Sequence, residues 1–318
     1  MIFSIEIRIR EGEILRGMST RDESLPFIIF IDLDGTIVGN VTNLVSEWEL
    51  IQEYNKIKMK DFKKSLVNKL RKGMLRENLS DFCSMIQGHY KCVEFFIYTA
   101  SESKWANFLV NSIEEATGLT FQRPVLTRNN CIERDQDYKK SIDHVMPIVM
   151  KRIKKIYPRV TKPSQLKHRV CLIDNNDVMV EKEKDRVIKC PTYDFIEFYD
   201  VFSRIGLECF EDENDCSALA KNIMRYGLYP SAYISHLRSS YLTFPVFRYY
   251  YYDRLCENMR RALKQPPPSS DKFWTHLAYA MTRQNMTQFD PESIKKIMGR
   301  TKKERQRDRE GDKEKIEK

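Results

Sequence analysis

The chain has 318 residues, 42% of them hydrophobic and 31% charged, with a formal net charge of +9. That length supports one large core, or one domain with a smaller helical module, and no apolar run reaches the roughly 18 residues a membrane span needs, so no membrane contact is expected. The charge favours acidic partners such as nucleic acid or phosphoproteins, and eight scattered cysteines with no C-x-x-C pair predict reduced thiols in a cytoplasmic or nuclear compartment.

In chain order, residues 1–24 alternate apolar and charged positions and predict an edge segment. FIIFIDL at 27–33 predicts a strand buried on both faces. Apolar positions near helical spacing, with lysines between them, predict a helix over 45–70 within an insert at 41–75, and a short helix over 76–86. VEFFIY at 93–98 predicts a second buried strand, and 104–117 a helix stopped by Gly118. Residues 142–156 predict a helix that Pro147 should kink. VCLI at 170–173 predicts a third strand and 187–190 a short fourth. Apolar strands alternating with helices predict an α/β fold with a central parallel sheet covered by helices on both faces.

Beyond residue 205 the strand signals stop. Amphipathic stretches at 218–226 and 247–263 predict a helical extension over 206–264, followed by a proline-rich linker at 265–271 and a helical segment at 272–298. The last twenty residues carry nine basic and six acidic side chains and almost nothing apolar, which predicts a disordered tail over 299–318, a solvated helix being the alternative. The aromatic run Phe247 to Tyr252 reads as a packing face, with base stacking the less favoured alternative.

Ligands of a parallel sheet bind at the carboxyl ends of its strands. Three predicted strands end there on reactive residues: Asp32 and Asp34, then Thr99, then Asp174 and Asn175. Such a set suits phosphoryl transfer, in which a carboxylate nucleophile divides hydrolysis into two displacements through an acyl phosphate. Asp32 is placed to attack and Asp34 to act as general acid and base. Carboxylates and a phosphate share a site only when a cation neutralises them, and Mg²⁺ suits an all-oxygen shell.

This constellation resembles the haloacid dehalogenase-like phosphatases, and in particular the FCP/SCP-type (NLI-interacting-factor-like) enzymes acting on the RNA polymerase II C-terminal domain. FFIYTASESKWANFLV at 95–110 resembles their second motif. TRNNCIERDQDYKKSI at 127–142 resembles Arg-x-x-Cys followed by Tyr-x-Lys-Asp-Leu, VCLIDNND at 170–177 resembles the strand and Asp-Asn pair, and LRENLSDF at 75–82 resembles a helix start upstream. The likeness spans about residues 25–205, a phosphatase domain. It implies Asp32 as phosphoryl acceptor, Asp34 as acid and base, and Lys140 as neutraliser of the phosphoaspartate, with Lys162 the less favoured alternative for the lysine. It implies Thr36, Thr99, Arg128 and Trp105 at the phosphate or its entrance, and Asp32, Asp34, Asp174 and Asn175 around Mg²⁺. The implied activity is Mg²⁺-dependent hydrolysis of phosphoserine or phosphothreonine in a protein.

Departures from the family pattern lie at Gly35, where a glutamate is usual, at Ser141 in place of an aspartate, and in the helical insert. The alternatives are the same chemistry on a nucleic-acid end or a small phosphorylated molecule, and a non-catalytic scaffold. A scaffold is expected to lose a catalytic aspartate, and both are present.

Overall fold

The structure is a computed structural model that describes residues 25–41, 44, 45, 48, 59–134, 137–195, 267–283 and 287–316. The expectations for residues 1–24 and for helices at 218–226 and 247–263 lie outside these residues. In chain order the described elements are β1 (Phe27–Ile31), α1 (Met59–Lys69), α2 (Leu79–His89), β2 (Val93–Tyr98), α3 (Ser103–Thr117) and β3 (Gln122–Leu126). A hairpin of β4 (Ile132–Arg134) and β5 (Asp137–Lys139) follows, then α4 (Ile142–Ile156), β6 (Val170–Asp174), β7 (Val187–Lys189), α5 (Phe273–Thr282) and α6 (Pro291–Ile316).

Five strands form one parallel sheet in the order β3-β2-β1-β6-β7, with β1 at its centre. Every residue of β1, β2 and β6 is buried, as an unbroken apolar run with helices on both faces requires. Alternate residues of β1 feed two cores. Phe27, Ile29 and Ile31 pack with Leu66 of α1, Phe82 of α2, Leu109 of α3 and Leu277 of α5. Ile28 and Phe30 pack on the other side with Val145, Val149 and Ile153 of α4. Ile31 pairs with Ile97 on β2 and Ile173 on β6, so the three strands end at one level.

Several elements differ from the expectations. Strand β3 is an addition, an edge strand whose Pro124 and half-exposed Gln122 and Arg123 hide it from a burial pattern. The insert helix is described over Met59–Lys69 and continues as a π turn, Leu70–Met74, where Gly73 has φ 119°. A Cβ at Gly73 would lie 2.4 Å from Pro268 Cγ, so the proline-rich segment rests on the body of the domain there. α4 runs unbroken through Pro147.

Helix α6 continues through most of the segment whose composition predicts disorder. Its first turns are anchored by buried Ile294 and Ile297 and by a Glu292–Lys296 ion pair at 2.7 Å, and an anchored helix extends at little further cost. α5 lies at the start of the segment expected to be helical and packs Trp274 on Phe82, ring centroids 4.9 Å apart. No described helix is long and apolar enough to cross a membrane.

Candidate active site

Asp32 directly follows β1, and its amide donates to the Ile173 carbonyl on β6 at 3.0 Å. Asp174 is the last residue of β6. Both carboxylates are buried, and the Lys140 ammonium lies between them, 2.6 Å from Asp32 Oδ1 and 2.7 Å from Asp174 Oδ2. Lys140 is held from three directions. The β4–β5 hairpin delivers it, its amide donates to Val178 O at 2.7 Å, and its carbonyl accepts from Val180 N at 3.0 Å. Immediately afterwards α4 begins, capped by Ser141 and by buried Glu183, which accepts from Ile142 N at 2.6 Å and from Ser141 Oγ at 2.8 Å. Ser141 therefore serves as a cap where the family pattern has an aspartate. Lys162, the alternative lysine, is exposed beyond the far end of α4.

The chain turns at Gly35, φ 74°, where a Cβ would meet Asn175 Nδ2 at 2.6 Å. No side chain fits there without moving Asn175, which explains the departure at this position in terms of this loop. Thr36 donates its hydroxyl proton to Asn175 Oδ1 and accepts from Asn175 N, each at 3.1 Å. Asn175 Oδ1 also accepts from Asn176 Nδ2, and Asn175 Nδ2 donates to Thr192 Oγ1. These two residues bind the β1 loop to the β6 loop. Thr36 is fully buried with its hydroxyl bound to Asn175, and the Asn175 amide is bound to Thr36, Asn176 and Thr192. Both brace the loops around Asp32 and Asp174.

Thr99 follows β2, with its amide on Leu126 O and its Oγ1 accepting from Ser101 N at 3.1 Å. Ser101 donates its hydroxyl proton to Asp34 Oδ2. Asp34 Oδ1 is buried and has no partner among the described residues. Ser101 lies inside the Thr-Ala-Ser motif, which gives it no role of its own, and only the folded turn shows which carboxylate it meets. Arg128 steadies that turn, donating from its amide to Ser101 O at 3.0 Å and from Nε to Ala100 O at 2.8 Å, while its guanidinium lies 5.1 Å from the Tyr138 ring. Trp105, expected at an entrance, is 2% exposed. Its ring packs edge-on to Trp48 of the insert at 5.6 Å and beside Phe108, so it belongs to the core.

Burial pushes the Asp32 carboxyl up to about 7, with Lys140 pulling it down and Asp174 and Asp34 adding to the rise. Burial also raises Asp34, opposed by the Ser101 hydrogen bond and by Lys140. Burial alone would lower Lys140, but Asp32 and Asp174 more than offset it and hold the ammonium above its ordinary value. The group is thus a cation between two carboxylates, with a third carboxylate facing it and one oxygen of that third group unspent.

The family model of the NLI interacting factor-like phosphatases matches residues 27–203, more than half of the chain. The chain belongs to that family. The NLI interacting factor-like match contains β1 to β7 and every site residue described above. Among solved structures the chain is similar to Fcp1, an essential RNA polymerase II CTD phosphatase, at 16% identity and a TM-score of 0.35, covering 84% of this chain and 68% of that one. A fission yeast RNA polymerase II CTD phosphatase Fcp1 bound to beryllium fluoride gives 16% identity, the same coverages and a TM-score of 0.36. No curated protein matches the sequence.

Proposed function

We propose that this family member is a Mg²⁺-dependent phosphatase that hydrolyses phosphoserine or phosphothreonine in a protein through an aspartyl-phosphate intermediate. The observation that carries the proposal is the buried Asp32–Lys140–Asp174 group at the carboxyl ends of β1 and β6, with Asp34 turned toward it. Two buried carboxylates on one lysine, with a half-buried third beside them, are expensive to keep unless something uses them. The substrate class rests on the 95–110 and 127–142 motifs that resemble the polymerase-tail phosphatases, because those motifs build the Thr99–Ser101 turn and the Arg128 brace.

In this mechanism the Asp32 oxygen not engaged by Lys140 attacks phosphorus as the bond to the seryl or threonyl oxygen breaks. Asp34 gives its proton, from the unspent Oδ1, to that leaving oxygen. Water then attacks the aspartyl phosphate, Asp34 takes a proton from it, and Asp32 leaves as a carboxylate with inorganic phosphate released. Lys140 would offset the charge on the phosphorylated Asp32, and the Thr99 hydroxyl would donate to a phosphate oxygen. The donor set fits Mg²⁺. It is all oxygen, and Asp34 Oδ1 is a buried oxygen with no partner among the described residues, which suits an ion held by one or two carboxylates, the substrate phosphate and water. Asp32, Asp174 and the Asp34 carbonyl would hold it, supplying charge neutralisation at the phosphoryl oxygens.

The test is Mg²⁺-dependent hydrolysis of p-nitrophenyl phosphate by the wild type and by Asp32→Asn, followed by a phosphopeptide panel. Asp32→Asn is expected to abolish turnover while remaining folded, since the amide still accepts from Lys140. Turnover equal in the two proteins would overturn the enzymatic reading and favour a scaffold. A panel dephosphorylated without regard to the peptide would remove the protein-substrate part of the proposal.

Ser101→Ala is expected to lower kcat about 10- to 100-fold, because general acid–base help of this kind contributes about 10²–10⁴ and only its aim is lost. The hydrogen bond from Ser101 favours the charged form of Asp34. Its loss raises the Asp34 pKa further, so the alkaline limb of the pH–rate profile should move to higher pH. An unchanged profile would show that Ser101 only shapes the turn.

A further inference from the structure

The formal charge of the chain is unevenly placed. Residues 151–169, KRIKKIYPRVTKPSQLKHR, contain eight lysines and arginines and no carboxylate, leaving +1 for the other 299 residues. This segment is the last six residues of α4 and the turns leading to β6. Ile153 and Tyr157 point into the second core, which turns Lys151, Lys154 and Lys155 outward to solvent. Lys162 and Lys167 are exposed on the turns that follow. None of these five lysines has a carboxylate partner among the described residues.

The patch lies at the end of the sheet away from the candidate active site. Tyr157 donates to Glu94 near the start of β2 at 2.7 Å, and Arg169 donates to Leu25 O ahead of β1 at 2.6 Å. Within α4, at about 1.5 Å per residue, Lys151 stands about 14 Å and Lys155 about 20 Å along the helix from its start beside Lys140. The kind of partner follows from what the surface lacks. Stable anchoring on an anionic membrane adds an apolar or lipid anchor to basic charge, and protein hot spots are built around buried aromatic anchors. Among the described residues the exposed large hydrophobic side chain is Tyr279, which belongs to α5. Single-stranded nucleic acid would ask for exposed aromatic platforms. Lysines with Thr161, Ser164 and Gln165 between them meet the needs of duplex phosphates, which take cations and polar donors.

We propose that the surface of residues 151–169 binds the phosphate backbone of double-stranded nucleic acid without reading its sequence. The duplex would be held on the face opposite the catalytic end, leaving that end open to a protein substrate on the same nucleic acid.

The test uses the full chain and fluorescence anisotropy with random-sequence DNA and RNA duplexes across a salt series. The wild type is expected to bind both, with affinity falling steeply as salt rises. Reversing Lys151, Lys154, Lys155 and Lys162 to Glu should weaken binding by at least about tenfold. It should also flatten the double-logarithmic salt slope by about three to four, since each phosphate that a lysine neutralises adds about 0.9 to that slope. The milder set with Gln at the same positions should move both quantities in the same direction, and thermal unfolding reports that each variant is folded. Reversing Lys295, Arg300, Lys302 and Lys303 on α6 changes net charge equally and should have a much smaller effect. Absence of duplex binding, an equal weakening in the α6 variant, or equal binding to polyglutamate or phosphatidylserine vesicles would overturn the proposal.

Discussion

Lys140→Met is expected to cripple activity and to destabilise the fold by about 3–5 kcal/mol near neutral pH, because it leaves buried carboxylates without their cation. Catalysis should fall by about 100- to 1,000-fold, the usual loss when one group that stabilises transition-state charge is removed. The stability defect has a defined pH dependence. Asp32 is already pushed up to about 7 with Lys140 pulling it down, so without the lysine it rises further, while the unfolded chain keeps an ordinary aspartate near 3.9. A raised native carboxyl means that the folded protein binds the extra proton. The defect is therefore complete above the folded pKa and shrinks as pH falls through it toward about 4.

In the wild type the raised Lys140 pKa has the opposite reach. Its contribution is present throughout neutral pH and is lost only as pH rises through its folded value, above the ordinary lysine range. Adding Asp32→Asn to Lys140→Met should recover much of the stability and none of the activity, as followed by urea unfolding and turnover. If the double variant were no more stable than the single one, charge compensation would not be what Lys140 supplies to the fold.

What is legible in the sequence divides along physical lines. β1, β2 and β6 can be read because a strand covered on both faces must be apolar throughout, and their ends place Asp32, Thr99 and Asp174 at one edge. β3 and the β4–β5 hairpin cannot, because they are short, polar and at an edge or outside the main sheet, where burial imposes no pattern. Motif grounds favour Lys140 over Lys162, and the structure places the Lys140 ammonium between the two carboxylates. The side-chain partnerships are out of reach. Thr36 and Asn175 are 139 residues apart, Ser101 and Asp34 are 67 apart, and nothing local to either loop says where a hydroxyl proton will go. Trp105 illustrates the converse. A motif fixes a position on α3, but the insert brings Trp48 over it and turns a rim position into core.

Asp271→Ala is expected to unfold the protein more readily than Arg76→Met, although both break the same ion pair. Arg76 is fully buried, whereas the Asp271 side chain is a quarter exposed. Their contact is bidentate, Nε to Oδ1 at 3.0 Å and Nη2 to Oδ2 at 2.9 Å. Removing the carboxylate strands a charge that water cannot reach, at about 3–5 kcal/mol. Removing the guanidinium leaves a carboxylate that can draw in water, at about 1–3 kcal/mol. The measurement is thermal or urea unfolding of both variants, and equal losses would mean that the Arg76 guanidinium's contact with the Phe273 ring, 4.4 Å from its centroid, offsets the difference in exposure.

Arg76 Nη1 also donates to Pro191 O at 3.0 Å and Thr36 O at 3.4 Å, so either variant should lower turnover through the loop that carries Asp34. The same pair decides how residues 267–316 relate to the phosphatase body. A chain ending at 266 would lose Asp271 and also Phe273, Trp274, Leu277 and Met281 from the main core. Each such side chain contributes about 1.5–3 kcal/mol on burial, and together they reach the whole stability of a typical domain, about 5–15 kcal/mol. That truncation is therefore expected to give insoluble or unfolded protein. A soluble, cooperative and active product would instead make 267–316 a separable module resting on a complete phosphatase domain.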